Sequence, residues 1–147
     1  MSNSTLRTVY FASHLPREIA DALNSESGRI YSQVLVEHYR IYRKKGIWLS
    51  PKAQERYNDY LNRNHPPLLH AHSIDAAQQG FSKACKTAKA NRNDGAHYPH
   101  KRKYFRTTVW KHTAMRLKAG CLLLSLARGN EPLCVELPEH LSKMPVE

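Results

Sequence analysis

The apolar period of this chain changes once, and that change limits the folds open to it. From Ile19 to Ala88 apolar residues recur at spacings of three, four and seven, the signature of amphipathic helices. After the turn signal Asn93-Asp94-Gly95 the apolar residues alternate or run together, which belongs to strands. Helices followed by strands predict an α+β protein.

The helical part divides into three. Ile19, Leu23, Ile30, Val34 and Ile41 form one stripe on a helix from about Pro16 to Lys45. Asn24 to Gly28 is a poor helical patch within it and predicts a kink or a break. Arg40, Arg43, Lys44 and Lys45 precede Gly46. Those bases suit a helix C-terminus and equally suit a polyanion. Ser50-Pro51 then caps and starts a second helix, to about Asn62. A third, Leu69 to Lys89, presents Ile74, Ala77, Phe81, Ala84, Cys85 and Ala88 on one side. Its Ala76, Ala77, Gly80, Ala84 and Ala88 would admit a close neighbouring helix. Gly80 costs about 1 kcal/mol against Ala in mid-helix, so it implies a packing reason.

Strands are predicted at Leu6–Ala12, Tyr104–Trp110, Met115–Lys118, Cys121–Ala127 and Leu133–Leu137. In Met115–Lys118 apolar and basic residues alternate, predicting one packed face and one wet, positive face. The first strand is separated from the others by the helices, and alone it has no partner, so it should join the later sheet. The expected architecture is a small antiparallel β-barrel with a three-helix insertion between its first and second strands. Residues 1–14 and 98–140 make the barrel, 15–97 the insertion, and 141–147 a tail.

The 147 residues carry a formal charge of +11, which points to an acidic partner, RNA or DNA before a membrane surface. A merely solvated basic protein is the bland alternative. The charge is densest from Lys86 to Lys118, where ten Lys and Arg stand against one acid, Asp94. Lys86, Lys89, Lys101, Arg102, Lys103, Arg106, Lys111, Arg116 and Lys118 are the candidate phosphate contacts, with Arg40, Arg43, Lys44 and Lys45 beside them. Tyr98, Tyr104 and Phe105 offer faces for bases to stack on, though at least one is expected in the core. Trp48 and Trp110 read as packing residues.

Other chemistry is sparse. The chain has neither a phosphate-cradling glycine loop nor a nucleophile elbow. Its acids are scattered, and no pair is marked out to converge on two metal ions. Cleavage by this chain is therefore not expected. Among nine histidines, His70 and His72 should face different directions, and His97 and His100 flank Tyr98-Pro99. No metal and no cofactor is predicted. Cys85, Cys121 and Cys134 suggest neither a disulfide framework nor a zinc knuckle, and Cys121 and Cys134 read as small core residues. The start MSNSTLRTVYF does not resemble a signal peptide, and no run reaches the ~20 apolar residues of a membrane span. A soluble cytoplasmic protein is expected.

The order of landmarks resembles a known family. TLRTVYF, then GRIYSQVLVEHYRIYRKKGIWLS, HAHSIDAAQQGFSKACKTAK, HYPHKRKYFRTTVW and AMRLKAGCLLLSLARGNEPLCVELP look like the N-terminal part of TnpB (OrfB) type transposon-encoded, RNA-guided DNA nucleases, relatives of the type V CRISPR effectors. The resemblance implies a wedge-type β-barrel carrying a helical recognition lobe. It implies binding of a structured guide-type RNA and of double-stranded DNA, with base pairing reading the sequence. Tyr98, Pro99, Lys101 and Arg102 match the family's Tyr-Pro-basic segment, while His100 stands where a base is usual and Phe105 comes late. The family continues into an RNase H-like domain with three catalytic acids, and this chain stops near where that domain would begin. The resemblance thus implies binding without cutting, with a separately encoded nuclease domain as a further candidate partner. A protein-interaction subunit or a repurposed RNA- or DNA-binding regulator is the alternative.

Overall fold

The computed structural model describes residues 6–142. Residues 1–5 of the expected barrel segment and 143–147 of the expected tail lie outside the described residues. Three helices come first: α1 (Arg17–Lys45), α2 (Pro51–Asn62) and α3 (Ala71–Ala90). A three-stranded antiparallel sheet follows, with β1 (Met115–Lys118), β2 (Cys121–Leu124) and β3 (Leu133–Glu136) in the order β1-β2-β3. A short helix α4 (Glu139–Ser142) closes the described chain. The α+β class holds.

The helix ends sit where local chemistry puts them. Gly46 takes a left-handed φ of 66° and its N–H donates to the Tyr42 carbonyl at 2.8 Å, closing α1. Ser50 Oγ accepts from the Ala53 N–H at 3.2 Å at the start of α2. At the start of α3 an imidazole does the capping, with His70 Nδ1 accepting from the His72 N–H at 3.1 Å.

The core has two parts. In one, Tyr31, Val34 and Leu35 of α1 pack against Phe81 and Cys85 of α3. In the other, Leu23 and Ile30 meet Leu69 and Ala77, backed by Trp110, Leu126 and Leu133. The Leu69–Leu126 bridge and an Ala127 N–H to Leu68 carbonyl bond of 3.1 Å tie the sheet to the start of α3. The inward face of α2 is polar. Its buried Gln54 amide nitrogen reaches His38 Nδ1 and the Leu49 carbonyl, both at 3.2 Å, and its oxygen accepts from Ser82 Oγ at 2.7 Å.

Three expectations are corrected. First, α1 does not break at Asn24 to Gly28 but runs as one helix from Arg17 to Lys45. Second, Tyr104–Trp110 is not a strand: residues 96–111 form a long strap laid antiparallel along α1. Tyr39 Oη donates to the Pro99 carbonyl at 2.8 Å. Ser32 Oγ exchanges bonds of 2.8 and 2.9 Å with the Lys103 N–H and carbonyl. The Arg106 N–H donates to the Asn24 carbonyl at 3.0 Å, and Asn24 Oδ1 accepts from the Thr108 hydroxyl at 2.9 Å. The two corrections share one cause. The small polar residues that weaken α1 as an isolated helix are the ones that receive the strap, which supplies the missing stabilisation. A Cβ on Gly28 would lie 2.6 Å from the Tyr104 carbonyl oxygen, so this crossing needs glycine.

Third, the sheet is open. Among the described residues it has three strands and does not close into a barrel. Leu6–Ala12 forms no strand, although Phe11 shares a groove with Leu122, Leu124 and Val135. The β1–β2 turn takes positive φ at both Ala119 (50°) and Gly120 (77°), the two-residue hairpin geometry. In β1 the alternation leaves Leu117 exposed, so neither face of that edge strand is fully covered. Cys134 is exposed and Cys121 half-buried, not core residues as expected. The two thiols interact across β2 and β3, and that hydrogen bond is the main cause raising the Cys121 pKa.

Candidate nucleic-acid interface

The strap is fixed to α1 chiefly through its backbone, which leaves the side chains of Lys101 to Phe105 free to reach solvent. Lys101, Arg102 and Lys103 are exposed, and so are the aromatics around them. Tyr104 is 85 % exposed, Phe105 62 % and Tyr98 37 %; none of the three is buried in the core, contrary to expectation. Lys103 Nζ lies 5.0 Å from the centre of the Tyr31 ring. Among the described residues, no carboxylate lies within 4.0 Å of Lys101, Arg102 or Lys103.

The other candidate cations divide between the two ends of the helical layer. Arg43, Lys44 and Lys45 are exposed at the C-terminus of α1. Lys86 and Lys89 are exposed near the C-terminus of α3. The strap starts at this end, because Pro99 docks on Tyr39. Arg116 and Lys118 stand on the exposed edge strand β1, whose sheet joins the start of α3. The positions where the strap meets Tyr39 and Asn24 are about 22 Å apart at 1.5 Å per helical residue. Phosphates lying against Lys101 and against Arg116 therefore belong to separate stretches of any bound strand.

Two candidates have other partners. Arg40 is engaged by Glu37 at 3.1 Å. Arg106 is turned inward: its guanidinium stands 5.5 Å from the Tyr31 ring centre and fills the space a Cβ on Gly80 would take. So the mid-helix glycine does have a packing reason, but the neighbour it admits is an arginine of the strap, not a helix. Lys111 is half-buried beside the 3-10 turn His112–Ala114.

A groove that the sequence did not single out opens between α2 and α3. It has a volume of about 640 Å³. Lys83, Lys86 and Lys89 line it from successive turns of α3, and Trp48 and Tyr98 form its aromatic wall. Trp48 is 43 % exposed and its ring is 5.0 Å from that of Tyr98, with 49° between their planes. Its packing partners are His38 at 4.3 Å and Tyr42 at 5.5 Å, each edge-on. Trp48 is thus only partly a packing residue, whereas Trp110 is one, its Nε1–H donating to the Ser125 carbonyl at 2.7 Å. The spacing of three between Lys83, Lys86 and Lys89 was the available signal for this site.

Burial sets the remaining chemistry. Cys85 borders the groove, and burial pushes its thiol pKa up to about 11. His38 is buried and burial lowers its pKa. The Gln54 nitrogen that faces His38 Nδ1 also donates to the Leu49 carbonyl, which makes Nδ1 an acceptor and places the imidazole proton on Nε2. His70 and His72 do not face apart: their rings are 4.9 Å from each other, and His72 Nδ1 bonds Thr113 Oγ1 at 2.7 Å. Among the described residues, no group of three or more His, Cys, Asp or Glu could hold a metal ion, and no helix is long and apolar enough to cross a membrane. Comparison with protein-family models, with curated proteins and with solved structures gave no match.

Proposed function

We propose that this chain is a nucleic-acid-binding lobe of the kind found at the N-terminus of TnpB-type nucleases, gripping RNA first and duplex DNA second. The observation that carries the proposal is the strap. Lys101, Arg102 and Lys103 are exposed next to Tyr104 and Phe105, and no carboxylate engages them among the described residues. Cations neutralise phosphates and the rings stack on bases, a pairing that suits polynucleotides of many sequences. The groove lysines and the α1 terminus extend the same positive end.

In this reading the chain binds without cutting. Three of its acids have structural work: Glu26 holds Arg29 at 2.7 Å, Glu37 holds Arg40, and Asp59 accepts from Gln78 at 2.8 Å. The same reading has Leu6–Ala12 adding to the sheet as a fourth strand. The proximity of Phe11 to Leu122, Leu124 and Val135 favours it.

Fluorescence anisotropy with a labelled RNA hairpin and a DNA duplex, titrated with salt, tests the proposal. About five neutralised phosphates give a log–log slope of about −3.5 to −4.5. Reversing charge together at Lys101, Arg102 and Lys103 should weaken binding to every sequence alike and flatten that slope. Unchanged affinity and slope in the reversed variant would rule the strap out as the contact surface.

The second reading, a protein-interaction subunit whose partner is a separately encoded nuclease domain, draws on exposed apolar residues. Leu6, Tyr10 and Leu117 are exposed, whereas Leu124 is buried. Its partner surface is therefore the N-terminal segment and the β1 edge. Self-association or partner capture that Leu117→Lys abolishes would favour it.

A further inference from the structure

We infer that the groove walled by Trp48 and Tyr98 is a slot for a single unpaired nucleobase together with its phosphate. The inference rests on the proposed polynucleotide partner and adds a specificity that the strap does not supply.

Three observations lead to it. The first is charge. Lys83, Lys86 and Lys89 face the groove with Glu55 as its one carboxylate, and among the described residues no ion pair within 4.0 Å occupies those lysines. The occupant is therefore an anion. The second is the wall. Trp48 is braced edge-on by His38 at 4.3 Å, Tyr42 at 5.5 Å and Tyr39 at 6.4 Å. A braced ring that is still 43 % exposed is a fixed platform, and an aromatic ligand stacking on it loses little protein entropy. Tyr98 packs directly against the same ring, 5.0 Å away with 49° between the planes, which leaves no room for a base between them, so the base stacks on the exposed part of Trp48 beside Tyr98. The third is size. At about 640 Å³ the groove falls within the usual range for small-ligand sites, roughly 300–1,000 Å³.

An anion with a flat face is a nucleotide. A base inside a duplex has both faces covered by its neighbours, so only an unpaired or extruded one can use the platform. Tyr98 joins the slot to the strap, since Lys101 follows three residues later. A strand held by Lys101, Arg102 and Lys103 can therefore deliver a bulged or terminal nucleotide to Trp48.

The test uses two RNA hairpins, identical except that one carries a single bulged 2-aminopurine. With wild type, the bulged hairpin should bind about 5- to 160-fold more tightly than the paired one, the range set by stacking of roughly 1–3 kcal/mol per base. The 2-aminopurine fluorescence should be quenched on binding. Trp48→Ala should remove both the preference and the quenching, and Trp48→Phe should restore part of each. Lys83→Glu with Lys86→Glu, two exposed positions that leave the core intact, should also abolish the preference. Equal binding of the two hairpins by wild type would overturn the slot while leaving the strap proposal standing. Failure to bind either hairpin would overturn both. Adenosine monophosphate competing at micromolar concentration would assign the groove to free nucleotide and overturn the polynucleotide assignment.

Discussion

Gly28 and Gly80 open the same door to different visitors. At Gly28 the visitor is backbone, the carbonyl of Tyr104, which has nowhere to go. At Gly80 it is the far end of a flexible side chain, the Arg106 guanidinium. Gly28→Ala should therefore cost about 1–3 kcal/mol, the usual range for overpacking. At Gly80→Ala the arginine can shift, and the gain of about 1 kcal/mol in helix propensity offsets part of the strain. The second variant should be clearly the more stable of the two by urea denaturation. His38 sets a different residue-scale expectation. Burial holds its folded-state pKa below the ordinary 6.5, and its Nδ1 already faces a donor, so the unfolded chain takes up the proton first. The stability this contributes is complete above about pH 6.5 and is lost as the pH falls below it. Urea midpoints at pH 7.5 and pH 5.5 should differ more for wild type than for His38→Phe; equal differences would show that His38 does not carry the effect.

At the scale of elements, the strap decides most of what the structure adds. Arg106 is its inward-facing member. Arg106→Ala should lower the urea midpoint by removing the guanidinium from Tyr31 and Gly80, yet leave the salt dependence of RNA binding unchanged. A reduced slope without a stability loss would place Arg106 in the interface. The helices were legible because their signals are local: a stripe of period 3.6, a Ser-Pro start, a Lys-Lys-Gly end. The three short strands of the sheet were legible for the same reason. Tyr104–Trp110 was not, because strand composition reports only that a segment is extended and half-covered. Here α1 covers it, not another strand. Asn24, Ser27 and Gly28 looked like a weak stretch of helix because the sequence does not announce the segment that binds them.

For the whole molecule, the cations were legible as residues and not as places. Tertiary packing put Arg116 and Lys118 at the sheet, Arg106 inside, and Lys101 to Lys103 beside the groove. It also recruited Lys83, which did not stand out when the chain was read in order, and Trp48, which read only as a packing residue. The strap's mode of attachment has one more consequence. Because main-chain atoms and α1 side chains make the joint, the outward positions at Lys101, Arg102, Tyr104 and Phe105 carry little structural duty. Mutational drift at these sites is cheap for the fold, so ligand preference there can be retuned one residue at a time without rebuilding what lies beneath.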